Sequence, residues 1–113
     1  MSALPPPANA HRGEVGALLD GRPYTLCLTL GALAELEAAF GVSDLPALAA
    51  RLGNGLSSRD VMLILRAGLR GGGHALPDDA IEGMRAEGGA AGLARLCADL
   101  LAATFGGTRE TRQ

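Results

Sequence analysis

The sequence predicts an α+β domain, with an N-terminal two-stranded antiparallel β-hairpin followed by a bundle of about five mostly short α-helices. Two observations predict this fold. Between residues 13 and 30, apolar residues alternate with other residues on both sides of the pair Asp20-Gly21, and a period of two is typical of half-buried strands. After residue 30 the apolar residues recur every three or four positions, and glycine or proline interrupts this helical pattern several times.

The hairpin is predicted from its turn. Asp20-Gly21 suits a two-residue type I′ turn, because both central positions need a positive φ that Gly, Asn and Asp adopt at low cost. The alternating apolar residues are Val15, Ala17 and Leu19 before the turn, and Tyr24, Leu26, Leu28 and Leu30 after it. A lone two-stranded ribbon is marginally stable and leaves its edges open. We therefore expect one edge, at Thr25, Cys27 and Thr29, to pair with a second copy or to be covered by helices.

Two helices are predicted next. The first has an apolar face of Leu30, Leu33, Leu36 and Phe40 and ends at Gly41, where glycine accommodates the left-handed conformation of a helix end. The second is short, capped by Ser43 or Asp44, with Gly53 as its stop.

A central helix is predicted from Ser57 to Arg70. Ser57 and Asp60 resemble a capping box, and the apolar run Val61–Leu65 follows. Because its apolar residues cover most of its circumference, this helix is expected to be the main packing element. Three arginines share one narrow face and are flanked by two apolar side chains. These five residues form the predicted partner-binding surface: Arg59, Arg66, Arg70, Met62 and Leu63.

Two more helices complete the prediction. One begins at Pro77 with Asp78 and Asp79 in its first turn and is expected to run to Gly88-Gly89. The last carries an apolar stripe from Leu93 to Phe105, beside a row of alanines that permits close approach of another helix. The domain is expected to span residues 13–107, between a disordered Pro/Ala-rich arm over 1–12 and a polar tail over 108–113.

Composition excludes several classes of function. The 113 residues carry a formal net charge of −2 with no lysine, which argues against general nucleic-acid binding because that needs a basic surplus. The longest apolar run, Val61–Leu65, is far shorter than the roughly 20 residues that span a membrane. The N-terminal residues lack the apolar region of a signal peptide, so a cytoplasmic protein is expected. Cys27 and Cys97 are expected to be buried thiols.

No catalytic, metal or cofactor site is predicted, so the chain is not expected to be an enzyme. The run Gly71-Gly72-Gly73-His74 lacks the preceding strand, following helix and lysine of a phosphate loop, and it is interpreted as a flexible connector with an exposed histidine. The acidic residues that follow Pro77 are explained by the dipole of the helix that they begin. The stretch from Leu45 to Leu69, two helices around a Gly-containing connection, superficially resembles a helix-turn-helix, but the second helix is too apolar to enter a DNA groove.

Three stretches together resemble a known family: GEVGALLDGRPYTLCLTLGALAELEAAFG at the hairpin, LRAGLRGGGH at Leu65–His74, and LLAATFGG at the end of the last helix. They are similar to the small tail assembly proteins encoded among the tail genes of phages and alphaproteobacterial gene transfer agents, over about residues 12–107. Members are described as tail assembly chaperones and sometimes as tail tube proteins.

The resemblance implies one of two roles. As a chaperone, the protein holds tape-measure or tail tube subunits soluble until the tube polymerises. As a structural subunit, it is retained in the particle as part of the tube. The resemblance implies tail tube subunits that close a ring with sizeable β-sheets, whereas this sequence has the alternating pattern of strands over few residues. The sequence therefore favours the chaperone.

Overall fold

A computed structural model describes residues 13–106 of the chain and confirms the α+β prediction. The predicted arm over 1–12 and tail over 108–113 lie outside the described residues. Two strands and five helices occur in the described part, in the order β1 (Glu14–Leu19), β2 (Arg22–Cys27), α1 (Leu30–Phe40), α2 (Leu45–Gly53), α3 (Ser58–Gly71), α4 (Asp78–Glu82) and α5 (Gly89–Phe105).

The hairpin has the predicted turn. Asp20 and Gly21 have φ angles of 54° and 75°, and β1 pairs with β2 in antiparallel register from Leu19 opposite Arg22 to Glu14 opposite Cys27. The strand face that carries Ala17, Leu19 and Leu26 is buried. The turn residues therefore determine which face of the ribbon meets the helices.

Helix α3 is the centre of the packing, as predicted. The Ser57 hydroxyl accepts a hydrogen bond from the Asp60 N–H at 3.1 Å, and the Asp60 carboxylate accepts one from the Ser57 N–H at 3.0 Å, which completes the capping box. The helix contacts β2, α1, α4 and α5. The largest fully buried side chains of the core are Leu19, Leu26, Leu36, Leu48, Ile64, Leu69, Leu100 and Cys97.

The predicted inner face of α1 is wrong at its first residue. Leu33 and Leu36 are buried, but Leu30 is 81% exposed. Thr29 caps the helix by accepting a hydrogen bond from the Ala32 N–H at 3.2 Å, so β2 ends at Cys27 and Leu30 occupies the first helical turn. There its side chain faces away from the core, whereas that of Ala32 is buried.

Helix α4 is also shorter than predicted, because it ends at Glu82 rather than at Gly88-Gly89. The chain after it runs to the hairpin turn. The Asp20 N–H donates to the Arg85 carbonyl at 2.8 Å, the Arg85 N–H donates to the Asp20 carboxylate at 3.0 Å, and Leu19 forms an isolated antiparallel bridge with Ala86. These long-range contacts replace the last turns of the predicted helix.

Candidate partner-binding surface

An apolar groove lies between α3, α4 and α5. It has a volume of about 330 Å³, and we call it the α3–α5 groove. Two methionines line it together with branched aliphatic side chains, while two serines and one carboxylate supply its polar groups. The lining side chains include Leu56, Ser57, Ser58, Val61, Met62, Leu65, Ile81, Glu82, Met84 and Leu93.

The structure brings three of the five predicted partner-binding residues together beside this groove. Met62 lines the α3–α5 groove and also a neighbouring pocket of about 80 Å³, which Leu63 and Arg66 line as well. Arg66 forms an ion pair with Asp78 at 3.5 Å, with side-chain exposures of 38% and 66%. Exposed pairs of this kind contribute little to stability, so a partner carboxylate can replace Asp78 at little cost.

The other two arginines are separated from the pocket. Arg70 pairs with Glu35 of α1 at the far end of α3. Arg59 is exposed at the start of α3, and no ion pair to it occurs within residues 13–106. The predicted arginine face therefore holds one unpaired cation and two that already bind carboxylates.

A buried carboxylate stabilises the start of α3. Asp60 is 5% exposed, and its carboxylate accepts hydrogen bonds from Arg51 of α2 at 3.2 and 3.3 Å. The hydrogen bond from the Ser57 N–H, followed by the contact with Arg51, outweighs the effect of burial and lowers the pKa of Asp60 below its ordinary value. The Arg51 guanidinium also lies 5.0 Å from the centre of the Phe40 ring, so one side chain connects α1, α2 and α3.

The outer edge of β2 is packed against the end of α3. The Thr25 N–H donates to Nε2 of His74 at 3.3 Å, and the His74 ring meets Tyr24 edge-on at 5.0 Å. A Cβ added to Gly71 would lie 1.9 Å from the Cys27 carbonyl oxygen, and one added to Gly72 would lie 1.8 Å from that of Thr25. Self-association at this edge, through Thr25, Cys27 and Thr29, stays a prediction, but the outward N–H of Thr25 already has a partner.

This packing corrects the interpretation of residues 71–74 as a flexible connector with an exposed histidine. His74 is half-buried, and its neighbours Gly71 and Gly72 are needed because two backbones approach closely there. Glycine pairs at a helix end are common as stops, so the sequence alone did not distinguish a stop from a packing contact. The available signal was His74, directly after the glycines, because its ring nitrogen can accept a hydrogen bond from the N–H of a strand.

Cys97 is buried and Cys27 is half-buried, and no disulfide joins them. Burial raises the pKa of Cys97 to about 11. Within residues 13–106, no group of three His, Cys, Asp or Glu side chains is placed to hold a metal ion. None of the described helices is both long and apolar enough to cross a bilayer.

Comparison with known proteins gives one result. No curated protein and no solved structure gives a significant match. The model of the family described as "Phage tail tube protein, GTA-gp10" matches residues 12–107, which include both strands and all five helices described above. The chain therefore belongs to this gene transfer agent tail family.

Proposed function

We propose that this chain is a tail assembly chaperone of a gene transfer agent or prophage, which binds tape-measure or tail tube subunits while the tail is built and is not itself part of the tube. The observation that carries this proposal is the state of the sheet edges. On this proposal the chain has no catalytic step and needs no cofactor.

A subunit that closes a ring by joining sheets needs strands whose outer edges can accept a neighbour. The part of the chain that the structure describes has two strands of six residues each. The β2 edge is packed against Gly71, Gly72 and His74, and the turn end of β1 is bridged by Ala86. The strand edges that these contacts leave uncovered belong to strands of only six residues, which favours a role other than closing a ring by joining sheets.

The α3–α5 groove and its rim suit a helical client. Methionine side chains adapt their shape to different apolar partners, and the groove contains Met62 and Met84. An amphipathic helix that placed its apolar face there would bring its polar face toward Arg59 and Arg66. We propose that Met62, Leu63, Arg59 and Arg66 of the predicted surface form this binding site, whereas Arg70 pairs with Glu35 at the far end of α3. A small, open groove gives the moderate affinity that a chaperone needs to release its client.

A structural tail tube subunit is the second candidate, and the family description supports it more directly than it supports the chaperone. That description names a tail tube protein. On this alternative the same groove contacts a neighbouring tail protein permanently, and the chain is retained in the particle.

Particle composition distinguishes the two candidates. Deleting the gene is expected to abolish tails in either case, so the deciding measurement is mass spectrometry of purified wild-type particles. The chaperone is expected only at trace level. Copies in a fixed ratio to the tail tube rings would refute the chaperone and establish the structural subunit.

Complementation tests the surface. Met62→Glu places a charge in the α3–α5 groove and is expected not to restore tails to the deletion strain. Leu45→Glu changes an exposed leucine of α2 that lies outside the groove and is expected to restore them. If both variants restored tails equally, the groove would not be the working surface.

A further inference from the structure

The most exposed large apolar side chain of the described residues is Leu30, at 81%. It is the first residue of α1, and the exposed Gly31 follows it. The first turn of this 11-residue helix has no acidic side chain, and within residues 13–106 neither the Leu30 N–H nor the Gly31 N–H donates a hydrogen bond. A projecting leucine is thus combined with the positive end of a helix dipole.

The α3–α5 groove has the complementary properties. Its walls are mostly apolar, and the carboxylate of Glu82 lies on its lining. Glu82 is exposed, and no ion pair to it occurs in the described part of the chain. A carboxylate is favoured near the N-terminus of a helix. Arg66 lines the pocket next to Glu82 but is already paired with Asp78, so the groove matches the start of α1 in both hydrophobicity and charge.

One chain cannot make this contact with itself. The start of α1 lies beside the end of α3, because Thr29, Gly31, Arg70 and Gly71 line a common pocket. The groove lies along the first half of α3, between Ser57 and Leu65. At 1.5 Å per helical residue, the ten residues from Val61 to Gly71 separate the two sites by about 15 Å.

We propose that Leu30 of one copy enters the α3–α5 groove of a second copy, with the start of its α1 facing Glu82. The contact uses different surfaces on the two copies, so each copy of a dimer keeps one of them unused, either Leu30, which we call the knob, or the groove. The assembly can therefore grow head to tail. One leucine and one groove bury far less than the roughly 1,200–2,000 Å² of a stable interface. Association is therefore weak and depends on protein concentration.

Mixing two variants tests the proposal directly. Leu30→Asp removes the knob, and because aspartate suits the first turn of a helix it preserves the fold. Met62→Glu blocks the groove. Glu82→Arg replaces the negative charge on the groove lining by a positive one without altering a buried residue. In sedimentation velocity on the full chain, the average mass of the wild-type protein is expected to rise with concentration, while Leu30→Asp and Met62→Glu each remain monomeric.

The equimolar mixture of Leu30→Asp with Met62→Glu is the sharpest measurement, because that pair retains one intact knob and one intact groove. It is expected to form a dimer and nothing larger. Glu82→Arg is expected to weaken wild-type association, and Leu45→Asp, on another helix, is expected to leave it unchanged. A wild-type protein that stays monomeric, a Leu30→Asp variant that associates like the wild type, or a mixture that stays monomeric would each overturn the proposal. All of these measurements use this protein alone, so they do not depend on whether it remains in the finished particle.

Discussion

The close packing of Gly71 against β2 gives the most direct test of how the sheet edge is protected. A methyl group at Gly71 would lie 1.9 Å from the Cys27 carbonyl oxygen, whereas real contacts of this kind are not shorter than 3.0 Å. Either α3 or β2 must therefore move by about 1 Å. Overpacking of this kind costs about 1–3 kcal/mol, and we expect the upper end because both sides of the contact are backbone.

The expected result for Gly71→Ala follows from two opposing effects. Replacing glycine by alanine in a helix gains about 0.5–1 kcal/mol, so the net loss of unfolding free energy is expected to be about 2 kcal/mol or more. Gly53→Ala is the matched control, because Gly53 is likewise the last residue of its helix and nothing lies within 4 Å of the added methyl. Urea titration followed by far-UV circular dichroism measures both variants. Equal stability of the two variants would refute the close contact between α3 and β2.

Two further predictions concern α3 itself. Ile64→Ala is expected to lower the free energy of unfolding by about 2–5 kcal/mol in urea titrations, because Ile64 is fully buried. Arg66→Ala is expected to lower it by less than about 1 kcal/mol, because the ion pair of Arg66 is exposed. Equal losses would contradict the assignment of Ile64 to the buried side of α3 and of Arg66 to its exposed side. The lowered pKa of Asp60 means that its ionised form stabilises the fold above pH ~4, and this contribution is lost as the pH falls through the folded pKa. Asp60→Asn is therefore expected to destabilise the protein at pH 7 and to make its free energy of unfolding fall less steeply in acid. If the dependence of stability on acid pH were unchanged in the variant, Asp60 would not be the group that causes it.

The sequence predicted those parts of the fold that short-range interactions determine. The turn at Asp20-Gly21, the capping box of Ser57 and the left-handed end of α1 at Gly41 each depend on a few neighbouring residues, and each is confirmed. The core position of Ile64 followed from the apolar run around it. Within the candidate site, Met62, Leu63 and Arg66 were predicted to lie together because they share one side of a single helix.

The features that sequence patterns did not predict depend on contacts between distant residues. Helix α4 ends early because Arg85 and Ala86 bind the hairpin turn, about 65 residues away in the chain. Leu30 fits the apolar period of α1, but tertiary packing buries Ala32 and Leu33 and leaves the side chain of Leu30 outside. The α3–α5 groove is formed by three helices at once, so no single periodic pattern encodes it.

The measurements of particle composition and of self-association answer separate questions, and their combination discriminates more than either does alone. A protein that associates through Leu30 yet is absent from particles would be a chaperone that forms weak chains during assembly. In that case a client helix that binds the α3–α5 groove would compete with Leu30 for the same site, so adding client would dissolve the chains. A protein that associates through Leu30 and is present in ratio to the tube rings would instead use this contact in the tube, and added tail protein would then extend the assembly.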